Sequence, residues 1–195
     1  MGNPKPQATC EYHVFLASPG DVNAERQVVR EFFEAFNRTV AKPQWDAEFT
    51  VIDWENYSTA GVGRAQELIT KQTLEKHRES LALVVFLMGQ RFGSPTGTHE
   101  SGTEEEFEWA LGEYRRNGFP EIKWFFRKIK KFSASSSEPK VIAEAAAQWD
   151  KVCAFRKKLH EPGPRQCYYK EFKSVPDFGK CLRSDLQLWL CDPAR

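Results

Sequence analysis

Three consecutive glutamates, Glu104, Glu105 and Glu106, open a helical stretch just after a glycine-rich loop, Gly89-Gln90-Arg91-Phe92-Gly93-Ser94-Pro95-Thr96-Gly97. Carboxylates placed there can do two kinds of work: face a bound ligand, or cap the helix they begin. If Thr103 is the N-cap, Glu106 has the spacing of its capping-box partner and is occupied structurally. If Ser101 is the cap, Glu104 takes that job and Glu106 is free to face a crevice. Spacing alone leaves both registers open, while Glu105 and Glu108 read as solvated. Two other segments carry similar chemistry, Ser18-Pro19-Gly20-Asp21 and the stretch from Trp54 to Gly63. With the loop from Gly89 to Thr103 they supply small residues, hydroxyls, glycine amides, an aromatic ring and carboxylates.

Positioning those groups falls to the elements between them. Leu81-Ala82-Leu83-Val84-Val85-Phe86-Leu87-Met88 is an uninterrupted apolar run, the pattern of a central parallel strand covered on both faces. Everything just after Met88 therefore lies at a strand's carboxyl end, where open α/β sheets bind ligands. His13 to Ala17 reads as a first strand, with Asp21 as a candidate N-cap for the helix that follows. That helix carries Val28, Phe32, Phe36 and Val40 at four-residue spacing, with Val29 and Phe33 widening the stripe. Phe49 to Trp54 reads as a strand, Asn56 to Gly63 as a loop, and Arg64 to Glu79 as a helix. A helix from about Thr103 to Arg116 is closed by Asn117-Gly118. Ile122 to Arg127 is a fourth strand, Ser133 to Pro139 a low-complexity loop, and Lys140 to Leu159 a further helix. After a turn at Glu161 to Pro164 come a short strand, Cys167 to Phe172, and a last helix striped by Phe178, Leu182, Leu186 and Leu190. That stripe needs a partner surface, and the same sheet is the nearest one. Five alternations without a hairpin signal predict one mainly parallel α/β sheet with helices on both faces. Right-handed crossovers would then bring the three chemistry-bearing loops to one rim.

Composition narrows the function classes. A chain of 195 residues, 41% hydrophobic, can bury one core, so a single domain is expected over residues 11–191, with a flexible segment at 1–10 and a tail at 192–195. A formal net charge of +1 gives no global field toward nucleic acid or an anionic membrane, and neither is an expected partner. The basic run Arg127-Lys128-Ile129-Lys130-Lys131 reads as a solvated strand end or loop. No apolar run approaches the roughly 18 residues a membrane helix needs and the first ten residues lack the form of a secretory leader. The expectation is a soluble cytoplasmic protein, or a soluble module cut from a longer chain. The five cysteines form no CxxC pair and the four histidines are scattered, so no metal is expected. Cys153, Cys181 and Cys191 read as small hydrophobes in helices, and His99 as a solvated loop residue.

The residues also resemble a known family. Val14-Phe15-Leu16-Ala17-Ser18-Pro19-Gly20-Asp21 with Glu25-Arg26, the loop Arg91 to Gly97, and Ser101-Gly102-Thr103-Glu104-Glu105-Glu106-Phe107 look like the TIR-like domain at the N-terminus of STAND-type NTPases and bacterial immune effectors. Trp149 to Arg156, leading to Phe178 and the leucine helix, is similar too. The resemblance spans roughly residues 11–191 and implies a flavodoxin-like α/β fold of the TIR superfamily. It implies an NAD hydrolase that cleaves the nicotinamide N-glycosidic bond, with NAD or a related nucleotide as substrate and no further cofactor. The Glu106-Phe107-Glu108-Trp109-Ala110 stretch matches the family's glutamate pattern, so Glu106 carries over as the catalytic residue and Ser101 as the small hydroxyl residue upstream. Ser18, Pro19, Gly20 and Asp21 correspond to the ligand-cradling first loop. Ser80 departs from the family, whose members often carry aspartate there.

For such a ligand, glycine amides of Ser18 to Asp21 and Gly89 to Gly97, Gly93 among them, suit a diphosphate, and Arg26 and Arg91 suit either its charge or an ion pair with Glu25 or Asp21. Trp54, Tyr57 or Phe92 suit stacking on a ring of the ligand, against a packing role for at least one of them. The resemblance further implies self-association, a regulatory STAND-type or sensor module as partner, and a role in antiphage defence or cell-death signalling. Two alternatives stand beside it: a non-catalytic signalling or oligomerisation module, and a nucleoside or nucleotide N-glycosidase.

Overall fold

The protein is described by a computed structural model over residues 9–57, 59, 64–129, 132 and 137–191. Its centre is a five-stranded sheet built from β1 (Cys10–Ala17), β2 (Ala47–Ile52), β3 (Leu81–Met88), β4 (Glu121–Arg127) and β5 (Tyr169–Phe172). Every neighbouring pair is parallel and the spatial order is β2-β1-β3-β4-β5. This is the flavodoxin-like arrangement, the fold implied by the resemblance to TIR-like domains. The uninterrupted apolar run of β3 follows from its place: it is flanked by β1 and β4 and covered on both faces, and every residue but the partly buried Ala82 is withdrawn from water.

The helices are α1 (Asn23–Phe36), α2 (Trp54–Tyr57), α3 (Ala65–Thr70), α4 (Gly102–Asn117), α5 (Pro139–His160) and α6 (Val175–Leu190). Side chains of the strands alternate between two cores. Phe15, Phe86, Met88, Trp124 and Phe126 meet Phe107, Ala110 and Leu111 of α4 and Val152, Phe155 and Leu159 of α5. Leu16, Leu83, Val85, Leu87 and Phe125 meet Val29 and Phe33 of α1 and Phe178, Leu182 and Leu186 of α6. The last helix thus finds its partner on the sheet, beside α1.

Several expected elements shift. The first helix does not stay in one winding: α1 ends at Phe36 and the chain continues as a wider π-helical segment, Asn37–Trp45. One extra residue per turn rotates the stripe, so Ala41 is fully buried while Val40 is only half-buried. The helix expected from Arg64 to Glu79 is α3 followed by a second π-helical turn, Lys71–Glu75. Its α4 counterpart ends as expected: Gly118 turns left-handed at φ 79° and its N–H returns to the Tyr114 carbonyl at 2.7 Å. Cys181 is partly buried and packs against the core on the α1–α6 side as a small hydrophobe, whereas Cys153 and Cys191 are exposed. Most of the loop at 58–63, Lys130-Lys131 and most of the serine-rich loop at 133–139 lie outside the described residues. Among the described residues, no helix is long and apolar enough to cross a membrane.

Because the strands are parallel, the loops after β1, β2 and β3 share one rim. After β1 the chain moves to α1 on one face; after β3 it moves to α4 on the other. The two connections part there and leave a crevice between β1 and β3, the topological switch point of this strand order.

Candidate functional site

The crevice at the switch point has a volume of about 270 Å³. Ser18, Pro19 and Gly20 form one wall, from the end of β1, and Arg91, Gly93 and Ser94 another, from the loop after β3. Trp54 stands at its mouth, 41% exposed, while Gln66 and Ile69 of α3 and Gly102, Thr103 and Glu106 of α4 complete it. Of the residues named from sequence, the structure therefore brings Glu106, Ser18, Pro19, Gly20, Trp54, Arg91 and Gly93 together.

The capping question has a definite geometry. Ser101 is the N-cap of α4: its backbone is extended and its Oγ accepts from the Glu104 N–H at 3.1 Å. Glu104 in turn reaches back, accepting the Glu100 N–H at 3.0 Å, and is held by Arg165 Nη1 at 3.0 Å. Both capping jobs are thereby filled without Glu106. Ser101 itself is fully buried and does not line the crevice.

Glu106 lies two residues further along α4, so its side chain leaves the helix on a different face and points into the crevice. It is 4% exposed, and among the described residues its hydrogen bond comes from the Gln66 amide, Nε2 to Oε1 at 3.2 Å. Burial pushes its pKa up to about 8 against the pull of the Gln66 hydrogen bond; the Glu105 charge adds to the rise and the Arg26 charge opposes it. Glu105 is the opposite case. Burial would raise it, but hydrogen bonds from Thr96, Arg64 and Thr98 and the Arg64 charge outweigh this and lower its pKa. Arg64 Nη2 reaches Glu105 Oε1 at 2.8 Å. Glu108 pairs with Arg165 at 2.6 Å. Neither Glu105 nor Glu108 is solvated as the sequence suggested, because Arg64 and Arg165, distant in the chain, come to meet them. His99 is likewise engaged, its Nδ1 3.0 Å from Thr98 Oγ1 and 3.5 Å from Glu105.

Other named residues stand outside the crevice lining. Asp21 does not cap α1, whose N-cap is Val22. Its carboxylate crosses to the neighbouring loop and accepts the N–H groups of Gln90 at 2.7 Å and Arg91 at 3.2 Å. Gly89 makes the approach possible, since a Cβ there would sit 2.2 Å from Asp21 Oδ2. Arg26, 2% exposed, donates to Glu55 at 2.8 Å and lies 3.7 Å from Asp53, which Arg30 also binds. It acts on the crevice through its charge alone. Phe92 is 3% exposed and packs edge-on against Phe155, so it is a core residue and not a stacking platform. Tyr57 ends α2 and is absent from the lining.

Two residues of the crevice wall were not apparent from sequence. Gln66 carries no motif, and it finds Glu106 only because the sheet places residues 40 apart side by side. Gly102 admits it: a Cβ at Gly102 would lie 2.4 Å from Gln66 Oε1. A glycine directly after the cap, where almost any residue would serve, was the available signal.

Five parallel strands in this order define a flavodoxin-like α/β domain, with a buried carboxyl facing the switch-point crevice. The chain belongs to the family described as Domain of unknown function (DUF4062), whose profile matches residues 13–187. No curated protein matches it. Among solved structures it is similar to the TIR domains of the activated Roq1 resistosome that directly recognises the pathogen effector XopQ. That likeness has 14% identity and a TM-score of 0.49, covering 90% of this chain and 99% of the other. It is also similar to a short-chain dehydrogenase from Streptomyces avermitilis, at 12% identity and a TM-score of 0.28, covering 91% and 97%.

Proposed function

We propose that this chain is a TIR-like effector domain that hydrolyses the nicotinamide N-glycosidic bond of NAD, acting in antiphage defence or cell-death signalling and switched on by self-association. The observation that carries the reading is the state of Glu106. Its capping work is done by Ser101 and Glu104, it is buried, and it faces a crevice at the switch point, where among the described residues its hydrogen bond comes from the Gln66 amide.

Such a carboxyl suits a reaction in which positive charge develops at a ribose. Cleavage sends the bonding pair to the nicotinamide ring nitrogen, which leaves as a neutral molecule and needs no acid. The ribose is left with oxocarbenium character, and water adds at C1′ and loses a proton. A carboxylate beside C1′ stabilises that charge. Without ligand at pH 7, Glu106 is mostly protonated. The fixed charge of a bound pyridinium favours ionisation, so the carboxylate forms where cationic charge will appear.

Concentrated or deliberately clustered protein is expected to release nicotinamide from NAD, and Glu106→Gln to abolish the release. Release by the variant at the normal rate removes Glu106 from the role. Inertness of the clustered wild type toward NAD points instead to a non-catalytic interaction module. The small volume of the crevice favours one further reading, an N-glycosidase for a nucleoside or mononucleotide. Faster turnover of nicotinamide riboside than of NAD would establish that one.

A further inference from the structure

A crevice of about 270 Å³ sits just under the roughly 300–1,000 Å³ typical of sites for drug-sized ligands, enough for a nucleoside and too little for a dinucleotide. Directly beside it lies a second cavity, of about 440 Å³. The two share Arg91, and Asp21, next to Gly20 of the crevice wall, borders the second one. Its far side is α5, through Val141, Glu144, Ala145 and Gln148. Taken together the two volumes fall in the middle of the usual range for ligand sites.

The wall between the cavities is held firmly. Gln148 accepts the N–H groups of Phe92 at 2.8 Å and Gly93 at 3.0 Å, and donates back to the Gly93 carbonyl at 3.0 Å. Asp21 fixes the preceding amides. On this braced loop Arg91 is exposed, and its guanidinium has no hydrogen bond or ion pair with any described residue. Arg127, in the same cavity, is instead spent on Glu25 at 2.7 Å. Glu144 across the cavity is also exposed and unpaired among the described residues. A lone guanidinium at the junction suits a phosphate or diphosphate, and a lone carboxylate beyond it suits donors such as ribose hydroxyls or an exocyclic amine. Val141 and Ala145 offer an apolar surface for a base.

We infer that the cavity bounded by Arg91, Val141, Glu144, Ala145 and Gln148 is a second subsite of the same site. It takes the nucleoside-diphosphate half of a dinucleotide, with Arg91 on the diphosphate and the scissile ribose beside Glu106. The assignment rests on the proposed dinucleotide cleavage for its substrate and places the whole ligand within one subunit.

The test is binding, so that it can fail separately from catalysis. ADP-ribose, ADP and pyrophosphate are titrated calorimetrically into the full chain, wild type and variants. ADP-ribose and ADP are expected to bind one per chain, with an affinity independent of protein concentration. Ala145→Trp and Val141→Trp, which fill the cavity from adjacent turns of α5, weaken both at least tenfold. Arg91→Ala weakens them about as much and Arg91→Lys less. If the chain cleaves NAD, the same fillings lower its preference for NAD over nicotinamide mononucleotide by a similar factor. Circular dichroism melts of each variant confirm the fold. ADP binding that survives both fillings in folded protein overturns the assignment. So does pyrophosphate binding as tight as that of ADP, or affinity that climbs with protein concentration because a neighbouring copy completes the site. A chain that binds ADP as described but leaves NAD intact keeps the subsite and loses the proposed reaction.

Discussion

Three adjacent glutamates with one chemistry in water have three fates here. Glu104 is a capping group, Glu105 an ion-pair partner and Glu106 a buried acid, according to which neighbours reach each one. The cost of the third fate is measurable. Glu106 has a folded-state pKa of about 8 against an ordinary value of 4.5, so folding favours its protonated form. That stabilisation is complete below about pH 4.5 and drains away as pH rises toward 8. By pH 7 the loss is on the order of 3 kcal/mol. Glu106→Gln keeps the shape and removes the titration. Urea unfolding should therefore find it more stable than wild type by up to about 3 kcal/mol at pH 7, with the difference vanishing near pH 4. Equal stabilities at both pH values would mean that water solvates Glu106 freely. A gain of the expected size would mean that Glu106 sits in the crevice at a cost to the fold, for which the proposed chemistry supplies a reason.

At the scale of elements, the start of α4 is where sequence and structure can be compared most closely. The choice between Ser101 and Thr103 as cap was visible in the spacing, but not the tertiary packing around it: Gly93, at φ 108°, passes so near that a Cβ there would lie 3.2 Å from Ser101 Cβ. The sheet and its helices were legible because burial writes its period into each segment, and β3 is present with the boundaries its apolar run predicts. The π-helical turns were hidden, since a winding change alters which residues face inward without altering their types. Asp21 was misread for another physical reason: capping is local, whereas its partners lie 69 and 70 residues away. The two glycines of this region should behave differently. Gly102→Ala meets only the end of the flexible Gln66 side chain, so it should cost little stability while displacing the amide from Glu106 and lowering nicotinamide release. Gly93→Ala forces a positive φ on a side chain and should cost on the order of 1–2 kcal/mol in thermal unfolding.

For the molecule as a whole, the rim that carries the crevice is tied across the sheet by charge. Glu25 of α1, 1% exposed, receives Arg127 from the end of β4 through bonds of 2.7 Å to each oxygen and a third at 3.1 Å. Removing only the arginine leaves a buried charge without a partner, so Arg127→Ala should destabilise the chain by about 3–5 kcal/mol in urea. Pairing it with Glu25→Gln should restore much of that. A loss below 1 kcal/mol in the single variant would show that water reaches Glu25 once the arginine is gone. α3 is the other tie, and a short one. Its Gln66 donates to Glu106 and pulls its pKa down against burial, while Arg64, at its N-cap, holds the ionised Glu105 on the adjacent residue of α4. Arg64 and Gln66 thus meet two adjacent carboxyls whose pKa values are pushed in opposite directions, Glu105 down and Glu106 up. Lifting α3 away would admit water to Glu106 and relieve the burial that raises its pKa, shifting it toward the carboxylate. Mechanical displacement of one short segment would then be converted into acidity at the crevice floor.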